Sequence, residues 1–222
     1  MAKTRPRGQF SNIKEINPRN DAQRHYIKSI GDNIITFGIG PAGTGKTFLS
    51  VYQALCHLWS KKIRRIVITR PVMEAGEKIG FLPGDIKEKL DPYMRPIYDA
   101  IFDIIGHDEA KKKIDSGVIE IAPIAFMRGR TFNDSFILLD EAQNCTFDQL
   151  KMVCTRLGQN CHIVINGDPY QSDLTNSGFR AMISALTDVE DVGVVRFTAE
   201  EIERSEIVKK VVKALEEYER NK

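Results

Sequence analysis

Short continuous apolar runs alternate along this chain with segments whose apolar residues recur every three to four positions. Ile34-Ile35-Thr36-Phe37-Gly38-Ile39, Arg65-Ile66-Val67-Ile68-Thr69, Phe136-Ile137-Leu138-Leu139, Ile163-Val164-Ile165 and Val194-Val195-Arg196-Phe197 are the runs. They fit strands of a parallel sheet with helices on both faces. Val118-Ile119-Glu120-Ile121-Ala122 alternates instead and predicts a less buried strand. Helical spacing appears in Gln23, Tyr26, Ile27 and Ile30, ended by Gly31, and again in Phe48, Leu49, Tyr52, Leu55 and Trp59. The stretch from Pro71 to Ile105 holds at least one helix, carrying Leu90, Met94, Ile97, Ile101 and Ile104. A terminal helix opens at a capping box, Thr198-x-x-Glu201, with a stripe of Val208, Val211, Val212 and Leu215. Strands separated by helices predict one α/β domain over 20–222, a central parallel β-sheet flanked by helices. Residues 1–19 mix Lys, Arg, Pro, Gly and Asn and read as a flexible basic arm.

Composition narrows the function classes. The 222 residues are 42% hydrophobic and 28% charged, which excludes collagen-like, coiled-coil and wholly disordered chains. A formal net charge of +2 confines any basic binding surface to a local patch. No apolar run approaches bilayer length, and the basic start lacks the apolar segment of a secretory signal. The four cysteines, Cys56, Cys145, Cys154 and Cys161, have no metal-ligand spacing and read as reduced core thiols. The expectation is a soluble, cytoplasmic chain with no membrane partner. The four scattered histidines receive no role, and the basic runs at 61–65 and 111–113 read as solvated faces.

Chemistry enters at Gly40-Pro41-Ala42-Gly43-Thr44-Gly45-Lys46-Thr47, which fits G-x-x-x-x-G-K-[ST] between a strand and a helix. Such a loop turns backbone N–H groups inward, and the helix N-terminus adds positive potential for phosphate. Lys46 then reaches the β/γ-phosphates of a nucleoside triphosphate and Thr47 ligates Mg²⁺. Residues 40–47 and Phe48 form the expected nucleotide-binding segment. Asp140 and Glu141 follow the apolar run at 136–139, at a strand's C-terminal end, where ligands collect in open α/β sheets. Asp140 is assigned to Mg²⁺ and Glu141 to polarising an attacking water. After Ile163-Val164-Ile165, the turn Asn166-Gly167-Asp168-Pro169-Tyr170-Gln171 brings an amide, Gln171, that reads as a γ-phosphate sensor.

Together these residues resemble the PhoH-like ATPase family, relatives of the superfamily 1 helicase core, over about 20–212. Further matching motifs are Thr69-Arg70-Pro71, Gly80-Phe81-Leu82-Pro83-Gly84, Arg128-Gly129-Arg130-Thr131-Phe132, Asp140-Glu141-Ala142-Gln143-Asn144 and Gly167-Asp168-Pro169-x-Gln171. The resemblance implies a single RecA-like P-loop NTPase domain using ATP and Mg²⁺. It implies that Gln23 reads the adenine edge and that Arg70 lines a nucleic-acid groove. It also makes Arg128, Arg130 and Thr131 candidates for nucleic-acid or inter-subunit contact. Where relatives carry Asp-Val-Val-Arg-His, this chain has Glu201-Ile202-Glu203-Arg204-Ser205, and Arg204 is the candidate for γ-phosphate contact.

Helicases of this type place ATP between two lobes, and this chain has room for one. A neighbouring copy is therefore expected to close each site in a homo-oligomer, a hexameric ring by analogy, with Arg128, Arg130, Arg156 or Arg180 as the finger in trans. The leading reading is an ATPase that couples hydrolysis to binding, translocation or remodelling of single-stranded RNA or DNA. The alternative is a nucleotide-gated oligomeric regulatory module without nucleic-acid activity. A P-loop kinase is disfavoured, because Glu141 and Gln171 suit water rather than a substrate hydroxyl.

Overall fold

The computed structural model describes residues 13–71 and 86–202, with 207, 211 and 214; of 86–92 it describes the backbone. Six strands form one parallel sheet in the order β3-β2-β4-β5-β1-β6. They are β1 (Ile35–Ile39), β2 (Arg65–Arg70), β3 (Ile119–Pro123), β4 (Ser135–Leu139), β5 (Cys161–Gly167) and β6 (Val192–Arg196). The helices are α1 (Asp21–Asp32), α2 (Lys46–Trp59), α3 (Ile86–Ile105), α4 (His107–Asp115), α5 (Phe147–Cys154) and α6 (Phe179–Leu186).

Strand alternation divides the core into two layers. Ile66, Ile68, Phe136, Leu138 and Val164 face α1 to α4 and meet Leu55, Ile97 and Ile101. Phe37, Val67, Ile137, Leu139, Ile163 and Ile165 face the other way, onto Leu150, Val153 and Phe179 of α5 and α6. That is why the central strands read as unbroken apolar runs, since neither face meets water. β3 and β6 are the edges, and their burial is patchy.

Several boundaries differ from expectation for visible reasons. Gly31 does not end α1; the helix runs to Asp32, and Asn33 Nδ2 donates to Ser29 O at 2.8 Å to close its last turn. At the other end Asn20 Oδ1 accepts from Gln23 N at 2.9 Å. α4 was not anticipated; Gly106 at φ 77° lets the chain turn sharply out of α3 and start it. Residues 13–19, read as part of the arm, lie against the domain: Ile13 is buried, and Lys14 N donates to Ile104 O at 3.0 Å. The 80–84 motif, Arg204 and most of the predicted terminal stripe lie outside the described residues. The Thr198–Glu201 capping box is present, on a short 3₁₀ turn over Ala199–Glu201.

None of the four cysteines is in a disulfide; Cys145 and Cys161 are buried and Cys56 and Cys154 half-buried. Burial pushes the Cys145 thiol up to about 12 and that of Cys154 to about 11. Among the described residues no helix is long and apolar enough to cross a membrane.

Candidate nucleotide site

The loop at 40–47 leaves β1 and enters α2 through backbone that demands glycine. Gly45, the residue before α2, has φ 88°. Gly40 has φ 143°, and a Cβ there would lie 2.4 Å from Phe197 O. Any larger residue at 40 collides with backbone that cannot yield. Gly40 N donates to Gly167 O at 3.1 Å, tying the loop to the end of β5.

Beneath the loop lies a buried polar cluster. The Tyr26 hydroxyl donates to Asn166 Oδ1 and sits 2.8 Å from Ser50 Oγ. Asn166 Nδ2 donates to Ser50 Oγ and Ser50 Oγ to Lys46 O, at 2.8 and 2.7 Å. Three elements, α1, α2 and β5, thus fix the helix end that carries Lys46. Burial holds the Tyr26 hydroxyl well above its ordinary range, so it stays protonated as a donor. Sequence reading assigned Tyr26 only to a helical stripe and missed this cluster; three polar residues spread over 140 positions leave no local signal.

Lys46 Nζ donates to Gly40 O, Pro41 O and Thr44 Oγ1 at 2.6, 2.7 and 3.2 Å. Its pKa is lowered, chiefly by burial, against the opposing pull of Asp140, Asp168 and Glu141. The ammonium is therefore tethered over the loop, within the concavity whose amides suit phosphate. Thr47 Oγ1 donates to Asp140 Oδ1 at 2.9 Å. Asp140 is almost fully buried, and its pKa is raised by burial and by Glu141, while Arg70, Thr47 and Lys46 pull it down. A buried carboxylate beside a hydroxyl is a hard oxygen pair of the kind Mg²⁺ takes. The donor set fits the ion.

Glu141 adopts the left-handed region, φ 56° and ψ 40°, unusual for a non-glycine residue. Its Oε1 accepts from Arg70 Nη2 at 2.6 Å and its Oε2 from Gln143 Nε2 at 2.5 Å. Gln143 Oε1 in turn accepts from Asp168 N at 3.0 Å, which joins the ends of β4 and β5. Gln143 was quoted in a motif but given no task by sequence reading. Lys46, Thr47, Arg70, Asp140, Glu141 and Gln171 line one cleft of about 680 Å³. Gln23, Gly43, Gly45 and Phe48 line a second recess of about 470 Å³, sharing the loop and Phe48 with the first. Gln23 Nε2 donates to Thr44 O at 3.1 Å, and its Oε1 accepts from Arg19 N at 2.9 Å.

The remaining candidates lie elsewhere. Arg130 makes a two-pronged pair with Glu120, at 2.5 and 2.7 Å, with its guanidinium 4.6 Å from the Phe132 ring. Arg128 and Thr131 are exposed on the same loop. Arg156 Nε donates to Met152 O at 3.1 Å, and Arg180 Nη2 donates to Pro169 O at 3.0 Å while stacking on exposed Tyr170. Arg70, the candidate for a nucleic-acid groove, lies beside Asp140 and Glu141 on the wall of the cleft of about 680 Å³.

The family described as PhoH-like protein matches residues 15–216. The chain is 47% identical over 209 residues to a PhoH-like protein of Mycobacterium tuberculosis, covering 93% of this chain and 59% of that one. It is 44% identical over 204 residues to a PhoH-like protein of Bacillus subtilis, covering 90% and 64%. The chain spans about three fifths of the length of the curated relatives it matches. In fold it is similar to the large terminase of a thermophilic bacteriophage, with TM-score 0.57 and 12% identity over 88% of this chain and 50% of that one. A second structure of that terminase is in complex with ADP. The architecture is that of a P-loop NTPase core.

Proposed function

The chain belongs to the PhoH-like protein family, and we propose that it binds ATP with Mg²⁺ and hydrolyses it in concert with single-stranded RNA or DNA. The observation that carries this reading is the Thr47–Asp140 hydrogen bond in a cleft that also holds Lys46 and Glu141. The terminase that shares the fold binds ADP, which agrees with a nucleotide in this cleft.

In this reading the loop amides and Lys46 grip the β- and γ-phosphates. Lys46 exchanges its carbonyl partners for phosphate oxygens, a better match for an ammonium than neutral carbonyls. Thr47 and Asp140 hold Mg²⁺, which when bound neutralises charge building on the phosphates. Glu141 orients the attacking water and takes its proton, with Gln143 fixing the carboxylate's position. Gln171 stands at the same cleft to register the terminal phosphate. The recess beside Gln23 and Phe48 receives the base, with Gln23 braced against Thr44 O. Exposed Arg128, on the loop after β3, meets nucleic acid or a neighbouring copy that closes the site in a ring.

Steady-state phosphate release with and without poly-U and oligo-dT tests this on wild type, Lys46→Ala and Glu141→Gln. Turnover that single strands raise and both substitutions abolish is the expected result. Turnover in Lys46→Ala equal to wild type sinks the ATPase reading. ATP that changes only the oligomeric state, with no response to single strands, leaves the regulatory module in its place.

A further inference from the structure

We propose that Arg70 is a catalytic cation supplied by the chain's own β2, one that releases Glu141 and takes the terminal phosphate when a nucleoside triphosphate enters. This rests on the ATPase reading above and names a residue that it does not use. Arg70 ends β2, next to β4 in the sheet, and its side chain is 18% exposed. Its Nη2 holds Glu141 Oε1, its Nη1 donates to Tyr93 O at 2.8 Å, and its Nε lies 4.0 Å from Asp140 Oδ2. The other oxygen of Asp140 accepts from Thr47 at the opening of α2. The guanidinium therefore sits one carboxylate away from the hydroxyl that marks the metal position, on the wall of the cleft that Lys46 lines.

Two physical features favour an exchange. Both oxygens of Glu141 are engaged, one by Arg70 and one by Gln143, which leaves the carboxylate poorly placed to take a proton from water. Its backbone is also held in a sparsely populated conformation, the kind of local strain that persists where surrounding contacts impose it. A terminal phosphate carries more charge than a carboxylate and matches a guanidinium at least as well. With Nη1 anchored on the Tyr93 carbonyl, only Nη2 has to change partner.

Glu141 Oε1 then accepts the proton of the attacking water. The water oxygen bonds to the terminal phosphorus, the bond from that phosphorus to the bridging oxygen breaks, and ADP leaves with the electron pair. Arg70 offsets the charge on the transferring group throughout. A transferring phosphoryl group needs a preorganised cation beside it, and β2 offers one from within this domain.

The test is calorimetric binding of Mg²⁺–ADP and of a Mg²⁺-bound, non-hydrolysable ATP analogue to wild type, Arg70→Ala and Arg70→Lys, with turnover measured alongside. Arg70→Ala is expected to weaken the analogue by about ten- to a hundredfold, as loss of a hydrogen bond between charged partners does, and to leave ADP unchanged. Unchanged ADP affinity also reports that the variant is folded. kcat falls, and Arg70→Lys recovers part of the analogue's affinity. Equal losses for ADP and the analogue overturn the proposal. So does unchanged affinity for the analogue, a rise in basal turnover, or a loss confined to stimulation by single strands. Failure of the ATPase reading looks different: wild type itself binds neither nucleotide.

Discussion

Thr47 Oγ1 donates to Asp140 Oδ1 at 2.9 Å across 93 residues of sequence, joining the first turn of α2 to the end of β4. In the proposed ATPase reading this hydroxyl and this carboxylate are the oxygens that would hold Mg²⁺. Thr47→Ala removes one oxygen and leaves the fold's apolar contacts intact. Activity at limiting Mg²⁺ is expected to fall by about ten- to a hundredfold, the usual cost of a disturbed metal shell. A Mg²⁺ titration of ATPase rate checks it, and excess Mg²⁺ should recover part of the loss.

Asp140 makes a second, opposite prediction about stability. Its folded-state pKa is raised, mainly by burial, so the folded protein holds this proton more tightly than the unfolded chain does. The contribution to stability is full below the ordinary aspartate range and is lost as pH rises through the raised folded value. At neutral pH in metal-free buffer the buried charge is therefore a burden. Asp140→Asn should raise Tm there while abolishing Mg²⁺-dependent turnover. The gain should shrink on acidification, when wild type becomes protonated. A variant that melts lower at neutral pH would sink this account.

The cluster under the loop predicts a cost of another kind. Tyr26→Phe removes a fully buried hydroxyl and leaves Asn166 Oδ1 without its donor. An unsatisfied buried acceptor costs about 1–3 kcal/mol. Urea unfolding should show that loss with an unchanged m-value. Because Ser50 ties the same cluster to Lys46 O, nucleotide affinity should drop as well.

The central strands and the loop were legible because both have local signatures: unbroken apolar runs for β2, β4 and β5, and glycines at 40 and 45 where the backbone admits nothing larger. Pairing the loop with Asp140 followed from the sheet, since strand ends converge on one edge. Side-chain partners carried no such signature. Arg70 follows an apolar run in β2 as any strand-terminating polar residue does, and only the β2–β4 neighbourhood reveals Glu141 as its partner. Gln143 and Asp168 are 25 residues apart, and the Tyr26–Asn166 bond spans most of the chain. Gly31 misled because the amide of Asn33 closes α1 without a left-handed glycine.

Arg128 and Arg130 share a short motif but not a task. Arg130 is held on both prongs by Glu120 and rests on Phe132, while Arg128 is exposed. The pair lowers the Glu120 pKa, chiefly through the hydrogen bond from Arg130. Its contribution to stability is present above the ordinary glutamate range and disappears as pH falls through the lowered folded value. Both partners keep about a third of their side-chain surface in water, so Arg130→Ala should cost only about 0.2–1 kcal/mol, and less at high salt. Arg128→Ala should leave stability unchanged and weaken single-strand binding more than Arg130→Ala does. Fluorescence anisotropy with labelled oligo-U at several salt concentrations separates the two. If Arg128 contacts a phosphate, its loss lowers the salt slope by roughly one counterion. Equal effects of the two substitutions on binding, or a larger effect of Arg130→Ala, would show that Arg130 leaves Glu120 to meet the strand.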